Sequence, residues 1–422
     1  MTKLNSKIVD QAVAAIDIPP AVTAAKHHDL YPEMQHDDRA RLNYIMACYR
    51  MTANVLTPGN QQVYNSRVKP LFEADNQRPP KNRQEVRHAM NKDPFHSLWG
   101  ALRRNLMEMR QQTGRQVVLK QNQTLADKVE TYSEGSSDLE LDPDLVIPPY
   151  VADVDHHCMP GSYYTEMIES DVSPAANYDL GFFVTTAGSI GGLCDGAGLA
   201  VANWVKEEFP EFKPKRMLDI GVAAGHSLVP IALAFPETEF TAIDVSAPML
   251  RYAHARAKAL GVNNIKFIQM SGEDLSRFED QHFDWVQSSV FLHELSARSL
   301  PKVLSESARV LKDGGLTLHL EQPQYDDEMP IFEQFMRDWD AYNNNEPFWS
   351  AMHGTDLVEE FQKSGLDKQD IFHTGIKAAI DPDVATKESK QLQEDYGRAP
   401  MWNAYGALKN NGGQYNPGKN HD

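Results

Sequence analysis

Between residues 37 and 55 the apolar side chains Leu42, Ile45, Met46 and Tyr49 recur at i, i+3, i+4 and i+7, the stripe of an amphipathic helix, with Pro58-Gly59 as its expected stop. A second stripe follows Asp93-Pro94. There Phe95, Leu98, Leu102, Leu106 and Met109 line one helical face, and Gly114 is the expected C-terminal cap. The first third therefore reads as helical. Residues 131–144 (TYSEGSSDLELDPD) are polar, acidic and short of apolar anchors, which marks a linker or boundary. From 145 to about 205 the chain becomes aromatic and dotted with glycine, a composition that suits a lid or pocket wall.

From residue 216 short strand-like runs alternate with helical ones, the pattern of a sheet wound with helices on both faces. MLDIG, FTAID, IKFIQM, FDWVQSS and LTLHLE read as successive strands. Helices are expected over 247–260, stopped by Gly261, and over 300–311, stopped by Asp313-Gly314-Gly315. IFHTGIKAAI and MWNAYGALK are expected as the last two strands, separated by a polar insertion at 381–400. The expected fold is α/β: a doubly wound, mainly parallel sheet of about seven strands. Its expected division is a helical N-terminal domain (1–130), a linker and lid (131–205) and a nucleotide-binding sheet domain (206–422).

The chain has 422 residues, 41% of them hydrophobic and 24% charged, enough to bury a full core. Forty-one basic against fifty-nine acidic side chains give a formal charge of −18, which repels polyphosphate, so no nucleic-acid partner is expected. Three widely spaced cysteines, Cys48, Cys158 and Cys194, supply neither a disulfide framework nor a metal ribbon, in keeping with a reducing cytoplasm. Asp10 and Asp17 break the mildly apolar start, so no signal peptide is expected and the mature chain is expected to begin near Met1. The most apolar stretch, 217–235, holds Asp219, His226 and two glycines, and no membrane span is expected.

The first sheet strand ends in Asp219-Ile220-Gly221-Val222-Ala223-Ala224-Gly225, and the next ends in Asp244, about twenty residues on. Glycines permit a tight turn and close backbone approach, and a carboxylate at the second strand tip can accept two ribose hydroxyls. Asp219 beside the loop suits a ligand with an amino group and is ill-placed beside a pyrophosphate, which disfavours a dinucleotide. With Asp-Val-Ser-Ala-Pro-Met-Leu after the second strand and Leu-Lys-Asp-Gly-Gly before the fifth, the chain resembles the class I S-adenosylmethionine-dependent, Rossmann-like methyltransferases over residues 214–325.

That resemblance implies that Gly221 and Gly225 form the loop under the methionine part of the cofactor, with Asp219 near its amino group. It places Asp244 at the ribose, Met249 on the adenosine, Gly272 and Glu273 beside the adenine edge, and Ser289 at the end of the fourth strand on the cofactor side. Two positions depart from the family pattern: Ser271 stands where an aspartate is frequent, and Ala223 replaces the middle glycine. After the fourth strand, Leu292-His293-Glu294-Leu295 is similar to the Leu-His-Asp-Trp stretch of small-molecule O-methyltransferases, which implies His293 as general base with Glu294 beside it.

Methyl transfer from a sulfonium is an in-line displacement, so the acceptor must be aligned and its hydroxyl or thiol proton removed. A small oxygen or sulfur acceptor is expected. In residues 339–349 (WDAYNNNEPFW), Asn345, Glu346 and Trp349 are candidates to orient it, as are His157, Tyr163 and Tyr164 upstream. Asp155-His156-His157-Cys158 spells the tetrad of protein acyltransferases, but the membrane helices and cysteine-rich zinc framework those enzymes need are missing. Neighbours in a strand point to opposite faces, so no metal centre is expected there. A homodimer through the helical third is a further expectation carried by the resemblance. The alternatives are a non-catalytic binder of S-adenosylmethionine and, less favoured, a nicotinamide oxidoreductase.

Overall fold

The computed structural model describes residues 21–379, 401–413 and 415. At its centre lies one sheet of eight strands: β1 Leu139–Glu140, β2 Arg216–Ile220, β3 Glu239–Asp244, β4 Ile265–Gln269, β5 Phe283–Ser289, β6 Leu311–Glu321, β7 Ile371–Lys377 and β8 Met401–Leu408. Their order is β1-β4-β3-β2-β5-β6-β8-β7. All neighbours run parallel except β8, which is antiparallel to both β6 and β7. The strand beyond the expected seven is β1, from the stretch read as a linker. Leu139 pairs with Phe267, and Glu140 is held by Arg277 at 2.5 Å. Two residues with a charged, paired side chain suit an edge position. The expected insertion at 381–400 and the chain start, residues 1–20, lie outside the described residues.

The inner strands are buried on both faces, as a parallel sheet covered by helices requires. One face packs Met217, Phe240 and Trp285 against Val201, Val205, Ile231, Leu250 and Ala253. The other packs Leu218, Ile220, Ile243 and Val286 against Leu300, Val303 and Leu304. Among the covering helices and those of the first third are α1 His36–Met51, α2 Pro94–Leu119, α3 Ser173–Thr185, α4 Gly196–Glu208, α5 Leu228–Ala234, α6 Ala247–Ala259 and α7 Leu300–Val310. Among the described residues no helix is long and apolar enough to cross a membrane.

Two expected stops are not stops. After α1 the chain takes a π-helical turn at Thr52–Leu56, and Pro58 then sits in the first turn of a new helix, Thr57–Val63. The π-helical turn just before it accommodates a proline that has no N–H to donate. Gly114 lies inside α2, which runs on to Leu119. A Cβ at 114 would strike the Asn177 side chain of α3, so this glycine serves close helix packing rather than a cap. The strand after α7 likewise starts earlier than expected, at Leu311.

In this order β2 is flanked by β3 and β5, the point where the winding reverses, and the crevice beyond their carboxyl ends is where open α/β sheets place ligands.

Candidate functional site

A cavity of about 260 Å³ opens at that switch point, and its walls come from the sheet edge, the 150–186 segment and the N-terminal helices. On the sheet side it is lined by Asp219, Gly221, Ala223, Asp244, Met249, Gly272 and Ser289. Gly221, Ala223 and Gly225 take left-handed φ of 74°, 46° and 77°, and the amides of Gly221 and Val222 donate to the Ile243 carbonyl at 2.9 and 3.1 Å. A Cβ at 221 would run into the Phe291 ring, so the glycine lets the turn after β5 close over the loop. Asp244 accepts the Ala223 amide on one oxygen and the Ser246 amide on the other, both at 2.9 Å, which leaves lone pairs for hydroxyls. Asp219 accepts from the Gln287 side chain at 2.9 Å, and burial pushes its pKa up to about 7. The Ser289 hydroxyl is buried without a hydrogen-bond partner.

The opposite wall is a knot of titratable side chains. Val290, β-branched yet at φ 53°, turns the chain sharply out of β5 into the short turn Leu292–Glu294. There His293, 2% exposed, has Nδ1 2.6 Å from Glu321 Oε1 at the end of β6, while its amide donates to Glu321 Oε2 at 3.2 Å. A carboxylate only accepts, so Nδ1 carries a proton, and Nε2 is open for chemistry when the ring is neutral. Burial lowers the proton affinity of this ring, but Glu321 more than offsets it and the pKa rises to about 9. Trp349 packs on the ring with centroids 4.5 Å apart.

Glu294 accepts the Tyr163 hydroxyl on Oε1 at 3.0 Å and has Oε2 2.6 Å from His156 Nδ1. Glu346, 1% exposed, lies 2.7 Å from His157 Nδ1 through Oε1, with Oε2 3.8 Å from His156 Nδ1. His156 Nε2 donates to the Tyr150 carbonyl at 2.8 Å. Burial opposes charge on His156, but the two carboxylates outweigh it and raise its pKa to about 11, while Glu294, buried too, is held well below its ordinary value by the histidines. The two histidines do not diverge as strand neighbours would. They sit in a tight turn, His156–Cys158, in which His157 has φ 51° and Cys158 φ 56°, so both rings reach the same pair of glutamates.

Residues 217–315 match the methyltransferase domain family. This segment is a class I methyltransferase domain. Among similar proteins, ribosomal RNA small subunit methyltransferase G of Parabacteroides distasonis is 36% identical over 78 residues, 18% of this chain and 32% of that protein. The protein of the same name from Chlorobaculum tepidum is 29% identical over 120 residues, 28% of this chain and 51% of that one. The chain thus spans between about a third and a half of the length of these relatives. A solved putative O-methyltransferase from Nostoc punctiforme aligns at 16% identity and a TM-score of 0.39, over 55% of this chain and 60% of that one.

S-adenosylmethionine is the cofactor of such a domain, and the residues present fit it. The unpartnered Ser289 hydroxyl, the bare Gly221 and Gly272, and the two strand-end carboxylates all line one cavity. Other expected positions stand apart from its lining. Gly225 turns the chain behind the loop, and Glu273 pairs outward with Lys302 at 2.8 Å. Tyr164 donates to the Ala152 carbonyl at 3.2 Å, and Asn345 is bound to the Asp155 carbonyl at 3.1 Å and to Arg104 at 3.3 Å.

Reading the sequence missed Glu321, the partner of His293, whose only signal is its place at the tip of the fifth expected strand. It also passed over His156 in favour of His157. A third omission, Asp179, lies in the interior behind the glycine loop: its carboxylate takes His28 at 2.8 Å, His226 at 2.7 Å and the Tyr252 hydroxyl at 2.7 Å. A lone aspartate within the apolar run YDLGFFV was the available hint.

Proposed function

We propose that this chain transfers a methyl group from S-adenosylmethionine to an oxygen or sulfur nucleophile of a small molecule, with His293 as general base. One observation carries the reading: Asp219, Asp244 and Ser289 share a single cavity with His293, Glu294 and Tyr163. When bound, the cofactor supplies an electrophilic methyl on a sulfonium. Asp219 would take its amino group, Asp244 its ribose hydroxyls, and Met249 would pack on its adenosine. In the neutral form of the ring, favoured as pH rises toward about 9, His293 Nε2 would accept the proton of the acceptor, and Glu321 on Nδ1 would hold the ring's orientation and stabilise the imidazolium formed.

Enclosure favours a small acceptor. Tyr49 of α1, Met107 and Arg110 of α2, and Tyr178 and Phe182 of α3 close the cavity over the sheet edge. A folded RNA or protein could present only a single base or side chain to a cavity of this size, and the formal charge of −18 opposes RNA. The names of the relatives concern ribosomal RNA, but their match is confined to less than a third of this chain.

The test is His293→Ala with cofactor affinity and turnover measured on the same samples against a panel of small hydroxyl and thiol compounds. Loss of a general base should lower kcat/KM by about 10²–10⁴-fold for a hydroxyl acceptor, with cofactor affinity unchanged. A small loss would point to a thiol, which ionises near neutrality unaided. No product 14 daltons heavier from any member of the panel, despite cofactor binding, would favour the binding-protein alternative.

A further inference from the structure

We propose that His156, Glu294 and Glu346 form a binding site for a divalent first-row transition-metal ion in the acceptor wall of the cavity. His156 Nδ1, Glu294 Oε2 and Glu346 Oε2 converge in the interior, and all three lie within 4.8 Å of one another. None of them makes a hydrogen bond of good geometry, although Nδ1 and Glu294 Oε2 form an ion pair at 2.6 Å. Ligands bound at about 2.0–2.2 Å to one ion lie at most ~4.4 Å apart, so a slight closing would complete the set.

Each of the three side chains has its other polar atom tied down. His156 Nε2 donates to the Tyr150 carbonyl, which leaves Nδ1 facing the two carboxylates, where a bound ion would displace its proton. Glu294 Oε1 accepts from the Tyr163 hydroxyl, and Glu346 Oε1 accepts from the His157 amide at 3.3 Å and faces its ring. Outer partners of this kind fix the orientation of metal ligands.

A proton on Nδ1 answers only one carboxylate and leaves Glu346 Oε2 unpaired in the interior, whereas a dication answers all three atoms. One imidazole among only three protein ligands selects zinc or manganese over calcium or magnesium, which prefer all-oxygen shells. Three protein ligands also leave coordination positions open, as in catalytic rather than structural sites. His156 and Glu294 line the cavity, so those positions face it. That the open positions take the acceptor's oxygen or sulfur rests on the proposed function; the ion site itself does not.

The experiment uses the full chain stripped with a chelator, titrated calorimetrically with Zn²⁺ and separately with Mn²⁺, with cofactor affinity and melting temperature recorded on the same samples. The expected result is one equivalent of one of these ions bound below micromolar, with a chelator-reversible rise in melting temperature. Glu294→Gln and Glu346→Gln should each weaken that binding at least tenfold while cofactor affinity stays within threefold. The proposal is overturned if wild-type chain that binds the cofactor takes up neither ion stoichiometrically, or if both variants bind as tightly as wild type. Metal uptake lost in the variants, in a chain without cofactor affinity, would uphold the ion site and count against the methyltransferase reading alone. Should a variant not fold, the wild-type stoichiometry and melting shift decide.

Discussion

On the cofactor side of the cavity the groups that face inward come from one stretch, residues 219–289, and are fixed by backbone: strand ends, a left-handed loop, and amides that donate to Asp244. On the acceptor side they come from residues 156–163, 293–294, 321 and 346–349, and are fixed by one another through ion pairs and buried rings. The first wall can form as soon as the sheet does, because each part is a neighbour in the strand order. The second exists only when distant segments have closed, so its geometry answers to changes made far away. A low-dielectric interior sharpens this contrast, since paired charges there hold one another strongly and an orphan is costly.

Behind the glycine loop the largest effect is expected. Asp179 of α3 joins His28 near the start of the described chain, His226 after the glycine loop and Tyr252 of α6. Asp179→Asn removes a buried charge from its partners and should cost about 3–5 kcal/mol, read from denaturant unfolding. The pH dependence has a definite sign. Burial opposes the Asp179 charge, but His226 and His28 outweigh it and hold its carboxyl well below 3.8, so its contribution is full above that value and fades as pH falls further. Burial lowers His226 below 6.5, so the unfolded chain binds the extra proton first and stability already begins to fall below about 6.5. Wild-type stability should therefore be flat near neutrality and decline in two stages on acidification, and the variant should lose the lower stage. An unchanged profile in Asp179→Asn would show that this buried cluster does not set the acid stability.

Asp244→Ala isolates the cofactor wall. Hydrogen bonds to a charged group contribute about 1.5–3 kcal/mol, so cofactor affinity should fall by about 10–100-fold. Metal affinity at His156, Glu294 and Glu346 should be unaffected, because no part of that cluster touches Asp244. If the metal affinity falls in step with the cofactor affinity, the walls are one unit and the contrast fails.

The same contrast explains what could be read from the chain before folding. Asp219, Gly221 and Asp244 announce themselves because their role follows from strand ends and turns that are local in sequence. His293 was legible as well, at the tip of β5, but Glu321 was not, since its pairing depends on β6 lying beside β5. Gly114 was misread for a similar reason: a helix cap and a close helix crossing use the same residue, and only the position of Asn177 tells them apart. His156 was set aside on the alternation expected of a strand, which does not hold in a left-handed turn.

That crossing also offers a way to perturb the acceptor wall from a distance. Asn177 donates to the Gln111 side chain at 2.9 Å, and Gln111 donates to the His157 carbonyl at 2.8 Å. Gly114→Ala would push on Asn177 and should cost about 1–3 kcal/mol as overpacking. It should also raise the KM of the acceptor while leaving cofactor affinity alone, because the displaced chain ends at His157. Equal losses on both sides would mean that α2 supports the whole cavity rather than one wall.

The smallest effect tests the cofactor wall at a single atom. The Ser289 hydroxyl has no protein partner, so Ser289→Ala should leave unfolding stability within a few tenths of a kcal/mol or raise it slightly, since an unsatisfied buried group is removed. If that hydroxyl is kept for the cofactor, affinity should still drop by about 2–10-fold, the value of one neutral hydrogen bond of roughly 0.5–1.5 kcal/mol. Calorimetry resolves a change of that size. An alanine variant as tight as wild type would remove Ser289 from the cofactor wall and leave its recognition to Asp219 and Asp244.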